Sequence, residues 1–203
     1  MRKTQSTIIA GAVGDLEIRI NPPSDGHRWV VISHPHPQFG GTMDNKVVTT
    51  LEKAYQSIGF GSVVYQFRGV GLSAGEYDGG EGEQADLAAV VNWLTNEYTP
   101  SYLVLAGFSF GAYISLKQAA TLEPDHLLVV APPVNLYDFS AIQLPSVSWT
   151  LVQGSADEVV PALEVLDWAL KLENMPDIHW RSGASHFFHR QLVWLKKIVL
   201  MAY

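Results

Sequence analysis

Along most of this chain, short runs of aliphatic residues alternate with longer stretches whose apolar residues recur at helical spacing. Residues 29–32 (Trp-Val-Val-Ile) and 103–106 (Leu-Val-Leu-Ala) are unbroken apolar runs, as strands buried on both faces are. Residues 62–67, 127–130, 149–152 and 178–181 read as further strands, and residues 16–20 alternate like a half-exposed one. Val47, Leu51, Ala54, Tyr55 and Ile58 mark one helix face, with Gly59 at its C-terminal cap. Leu87, Val90, Val91 and Leu94 mark a second helix, and residues 112–120 form a third. Leu163, Leu166, Leu170 and Leu172 place a fourth between Pro161 and Asn174. Phe188, Leu192, Leu195 and Val199 form the stripe of a closing helix. Residues 21–26 (Asn-Pro-Pro-Ser-Asp-Gly) read as a turn, and the glycine-rich, acidic residues 75–83 as a loop. Such an alternation implies an α/β architecture, a mainly parallel sheet with helices on both faces. In these sheets reactive groups gather beyond the carboxyl ends of the strands.

A chain of 203 residues fits one core, so residues 1–203 are expected to form a single domain. The net charge of -7 repels phosphate backbones and speaks against a nucleic-acid partner. No apolar run approaches the roughly 18 residues that a membrane span needs. The start Met1-Arg2-Lys3 is basic, but the apolar residues 8–13 are too few for a signal peptide, so a cytoplasmic location is expected. With no cysteine, disulfides and thiolate metal sites are excluded.

Gly107-Phe108-Ser109-Phe110-Gly111 fits G-x-S-x-G and lies between an expected strand and an expected helix, the context that the pattern requires. There a serine is held on a tight turn with its hydroxyl above the sheet, and the helix directs its positive end at a reacting carbonyl. A serine hydroxyl becomes nucleophilic when a neighbour takes its proton. The chain order for this architecture is serine, acid, histidine. Asp157 leaves the strand at 149–152 in a short turn, where it can orient an imidazole, with Glu158 as competitor and helix capping as its ordinary alternative. His186 follows the last strand in Ser185-His186-Phe187-Phe188, and His189 falls about one turn on, inside the closing helix, as the second candidate base.

The strand at 29–32 runs into Ser33-His34-Pro35-His36-Pro37-Gln38-Phe39-Gly40-Gly41. An oxyanion hole would take one donor from the Phe110 amide and a second from this loop. Pro35 and Pro37 have no N–H, which leaves the amides of His36 or Gln38. The competing reading of His34-x-His36 is a metal site, with Asp44 as the one nearby acid; no metal is expected, because further ligands are missing from the segment. The Gly69-Val70-Gly71-Leu72-Ser73-Ala74-Gly75 turn has the wrong spacing for a dinucleotide loop, so no cofactor is expected; it and Arg68 brace the site. Phe39, Phe108, Phe110, Tyr137 and Phe187 are candidates for a modest apolar pocket, with core packing as their alternative. Only residues 132–148 separate the strands at 127–130 and 149–152, too few for a lid domain.

Taken together, the motifs resemble those of the small, lidless bacterial α/β-hydrolases related to dienelactone hydrolases and carboxylesterases. One group of these carries His-Pro-His-Pro, here His34 to Pro37, then Gly40-Gly41-Thr42-Met43-Asp44-Asn45-Lys46-Val47. Phe67-Arg68-Gly69-Val70-Gly71-Leu72-Ser73, the Gly-x-Ser-x-Gly, Gly154-Ser155-Ala156-Asp157 and Ser185-His186-Phe187-Phe188 match its other elements. The resemblance covers nearly the whole chain and implies the α/β-hydrolase fold with a Ser109, His186, Asp157 triad. With an open site and a modest apolar pocket, the expected activity is that of a serine hydrolase acting on small or short-chain esters; a thioesterase, a peptidase or a non-catalytic interaction protein are the alternatives. Dienelactone hydrolases proper use a cysteine nucleophile, which this chain lacks, so that activity is not carried over.

Overall fold

The computed structural model describes residues 5–24, 27–144 and 146–203. The basic start Met1-Arg2-Lys3, and Asp25 and Gly26 of the expected turn, lie outside the described residues. The strands are β1 (Gln5–Gly11), β2 (Gly14–Asn21), β3 (Arg28–Ser33), β4 (Gly61–Tyr65), β5 (Tyr102–Phe108), β6 (His126–Val130), β7 (Trp149–Gly154) and β8 (Asp177–Arg181). They form one sheet in the order β1-β2-β4-β3-β5-β6-β7-β8. β1 and β2 pair antiparallel, as do β2 and β4, and from β4 to β8 every pairing is parallel.

The period-two geometry of a strand sends successive side chains to opposite faces, so a strand covered on both sides must be apolar at every position. On one face Val31, Val63, Leu105, Leu127 and Val129 pack against α2 (Glu81–Tyr98), α3 (Phe110–Leu122) and α4 (Ala162–Ala169). On the other, Val30, Ile32, Val64, Val104, Ala106 and Leu128 pack against α1 (Lys46–Ser57) and α5 (Leu192–Ala202). This is the α/β-hydrolase arrangement. No helix among the described residues is long and apolar enough to cross a membrane.

Several expected elements are corrected. The helix expected between Pro161 and Asn174 is shorter, Ala162–Ala169, and it buries Ala162, Val165 and Ala169. Two residues of its leucine stripe are turned outward, Leu163 70% and Leu170 55% exposed, while Leu172 and Trp168 stay half-buried against the core. The expected loop at 75–83 ends early, because α2 begins at Glu81; the Glu83 carboxylate accepts the amides of Asp78 and Gly80 and so caps the helix entry. Phe188 is buried but precedes α5, and His189 sits on an exposed turn, not inside that helix. β1 has no counterpart in the sequence reading.

After β4 the chain turns through Arg68, whose guanidinium forms a paired contact with the buried Asp86 of α2, Nη2 to Oδ1 at 2.8 Å and Nε to Oδ2 at 3.0 Å. The Arg68 amide adds a third bond at 3.0 Å. A Cβ on Gly82 would overlap the guanidinium, so glycine is needed for it to reach Asp86. Arg68→Met should leave a buried carboxylate without its cation and cost about 3–5 kcal/mol in urea unfolding, most of it recovered in an Arg68→Met/Asp86→Asn double variant, which removes the charge and keeps an acceptor for the residue 68 amide.

Candidate active site

Three loops that leave parallel strands at their carboxyl ends bring Ser109, Asp157 and His186 together. Ser109 is the single residue between β5 and α3, and its φ of 54° and ψ of -117° place it in a region that side chains rarely occupy. Such a conformation costs of order 1–3 kcal/mol and persists only where the surroundings enforce it. Here they do. A Cβ on Gly107 would overlap the Gly111 carbonyl, and one on Gly111 would overlap the Ser33 carbonyl. The Ser109 amide donates to the Val130 carbonyl at 2.8 Å, which ties the turn to β6. The side chain is left 8% exposed, at the end of a cavity.

Asp157 leaves β7 in a turn whose backbone holds the carboxylate. Oδ1 accepts the amides of Val159 and Val160 at 2.9 and 2.8 Å, and Gln153 Nε2 donates to Oδ2 at 3.2 Å. The His186 ring completes the set, with Nδ1 2.9 Å from Oδ2 and 3.1 Å from Oδ1. Burial pushes the Asp157 carboxyl up, but the hydrogen bond and charge of His186 and the two amides outweigh it, and the net shift is downward. The carboxylate therefore fixes the proton on Nδ1 and leaves Nε2 as an acceptor, 3.1 Å from Ser109 Oγ. His186 is 3% exposed and lies on the Phe108 ring at a centroid distance of 4.9 Å. Glu158 accepts the His186 amide at 3.1 Å, so it holds the loop and not the ring. The Asp157 and His186 loops are joined again where the Ala156 amide meets the Ala184 carbonyl at 3.0 Å.

The two histidines of the His-Pro-His-Pro loop do different things. His34 is fully buried; its Nε2 accepts the Phe67 amide at 3.1 Å, so its proton lies on Nδ1 and is donated to the Pro35 carbonyl at 2.6 Å. Both ring nitrogens are occupied, so His34 has no lone pair free for a metal. Among the described residues no three His, Asp or Glu side chains group as a metal would require. His36 Nδ1 accepts the Gln38 amide at 3.1 Å, and Nε2 lies 3.1 Å from Tyr77 Oη. The Gln38 amide is thereby used, whereas the His36 and Phe110 amides have no hydrogen-bond partner among the described residues.

A cavity of about 480 Å³ opens over Ser109. His36, Phe39, Phe110, Leu136, Tyr137 and Phe187 line it with His186, and Phe39 stands 86% exposed at its mouth. Apart from the histidines, no lining side chain is titratable to a charge near neutrality. Phe108 is not among the lining residues; it is fully buried beneath His186. Leu136 and Val159 complete the mouth and were not foreseen, because a lone apolar residue in a loop carries no periodic signal.

A serine, a carboxylate and a histidine in this chain order on this sheet define an α/β serine hydrolase type of site. A profile of the X-Pro dipeptidyl-peptidase (S15) family matches residues 14–146. An α/β serine hydrolase without a lid from Xanthomonas campestris is 40% identical, with a TM-score of 0.93 over 99% of this chain and 94% of that one. An α/β serine hydrolase homologue from Coxiella burnetii is 42% identical, with a TM-score of 0.94 over 100% and 98%. An uncharacterised protein of Rickettsia prowazekii is 38% identical over 78% of this chain and 71% of its own length. The chain belongs to the S15 family and, within the α/β serine hydrolases, stands with the lidless structures.

The buried His34 makes stability depend on acid. Its pKa is lowered from 6.5 to about 4, first by burial. The folded state binds this proton less readily than the unfolded state, so the stabilisation is complete above pH 6.5 and is lost as pH falls toward 4. The loss should reach about 3 kcal/mol in denaturant titrations. His34→Gln, which has both a donor and an acceptor, should lack this component.

Proposed function

We propose that the chain is a single-domain serine hydrolase cleaving neutral carboxylic esters of small or short-chain substrates. One observation carries this reading: the unbroken hydrogen-bonded path from Ser109 Oγ through His186 to Asp157. Ser109 Oγ attacks the ester carbonyl carbon as His186 Nε2 takes its proton, and Asp157 stabilises the imidazolium. Charge on the carbonyl oxygen is met by the Phe110 and His36 amides, each such donor worth about 3 kcal/mol of barrier. The imidazolium then protonates the leaving alcohol. Water, activated by the same His186, releases the acid from the acyl-enzyme.

The family match favours a second reading, release of X-Pro dipeptides from peptide N-termini. A dipeptidyl-peptidase must hold a charged N-terminal ammonium, and no carboxylate lines the cavity to receive it. That supports the ester. p-Nitrophenyl esters of graded chain length should be turned over faster than an X-Pro p-nitroanilide; the reverse order would make the chain a peptidase.

A fluorophosphonate probe should label Ser109, and a protein that keeps the fold without the chemistry should not react. Ser109→Ala and His186→Ala should each lower kcat by roughly four orders of magnitude or more with thermal unfolding little changed. His189→Ala, on its exposed turn, should stay within a few-fold of native. A collapse of activity in the last variant, with His186→Ala active, would move the base to position 189.

A further inference from the structure

The loops around the cavity hold a row of polar groups that the reaction above does not use. His36 Nδ1 accepts the Gln38 amide, so the ring is neutral and its one proton is on Nε2. That proton points at Tyr77 Oη, 3.1 Å away. Tyr77 Oη accepts it, and lies 3.4 Å from Tyr137 Oη, the longest link of the row. Tyr137 either donates its proton across that long link or, where Tyr77 donates instead, keeps it with no acceptor among the described residues; in both senses it is the hydroxyl of the row most readily turned to a ligand. A Tyr77 proton directed at His36 would require a proton on His36 Nδ1, facing the Gln38 N–H, where two donors would meet.

The Tyr137 ring is held firmly. It stacks on Tyr113 with centroids 4.5 Å apart and planes at 21°, and it touches Phe110, the residue after Ser109, at 5.6 Å. It lines the same cavity as Ser109 and His186. Burial first of all, then Tyr77, raises its pKa, so the hydroxyl stays protonated throughout the working range. The cavity offers no lysine or arginine to balance an anion, and a charged ligand would lose its hydration without compensation.

We infer that the Tyr137 hydroxyl is a substrate-binding donor, and that the site selects esters with a neutral acceptor oxygen close to the scissile bond. This rests on the serine hydrolase reading and adds a specificity-determining residue to it. Tyr77 acts as a positioning residue, since it aims Tyr137 without touching the substrate.

The test compares isosteric esters that differ by an ether oxygen in place of a methylene. p-Nitrophenyl methoxyacetate against p-nitrophenyl butyrate probes the acyl side; 2-methoxyethyl butyrate against butyl butyrate probes the alcohol side. The quantity read is the ratio of kcat/KM within each pair, from which intrinsic reactivity cancels when variant is compared with native. Tyr137→Phe should compress one of the two ratios by roughly three- to tenfold, the factor that one net hydrogen bond carries. Tyr77→Phe should compress the same ratio by less. The ¹⁵N imidazole resonances of His36 should be those of the Nε2–H tautomer. Two unchanged ratios, or an Nδ1–H tautomer at His36, overturn the inference even where Ser109 takes the fluorophosphonate label. Absence of both label and turnover in the native protein overturns the serine hydrolase reading, and this one with it.

Discussion

Ser109 stands at a left-handed φ where β5 becomes α3, and the geometry of the site follows from holding it there. The turn is sharp enough that Gly107 and Gly111 leave no room for side chains, one against the other's carbonyl and one against the end of β3. Close approach of α3 to β3 has a second effect. It brings the loop that begins at Ser33 beside the start of α3, so the His36 and Phe110 amides belong to neighbouring pieces of backbone. Strain at one residue is offset by a helix that is buried along most of its length, including Phe110, Ala112, Ile114 and Leu116.

Polar groups around this turn are arranged in separate tasks. Asp157 and Glu158 are adjacent in sequence, yet one carboxylate holds the His186 ring and the other its amide. His34 and His36 are two residues apart, yet one is a buried tie between the ends of β3 and β4, and the other opens a chain of hydroxyls along the cavity wall. In each pair the backbone sends the side chains in different directions, and this decides their role more than residue type does.

The sheet, its helices and the positions of Ser109, Asp157 and His186 were legible because each rests on a strong local signal. Unbroken apolar runs mark the central strands, and Ser109, Asp157 and His186 stand in the loops that follow the strands at 103–106, 149–152 and 178–181. What was missed rests on weaker signals. β1 shows only Ile9 buried, so its alternation is nearly silent, although Gly11 and Gly14 frame a two-residue hairpin turn. The leucines of α4 suggest a buried stripe, but Ala162, Val165 and Ala169 take the buried face. The sequence groups Phe108 with the pocket because it neighbours Ser109; strand alternation instead sends it to the face beneath His186. The choice between the His36 and Gln38 amides needed the side chain of His36 itself, since its Nδ1 occupies one of them.

Between β6 and β7 the described residues form neither helix nor strand, and the cavity mouth stays open beside Phe39. On the ester-hydrolase reading proposed above, water could reach an acyl group on Ser109 through this mouth once the alcohol departs, with no covering element to displace. Such a shape favours handing the acyl group to water over passing it to a second alcohol.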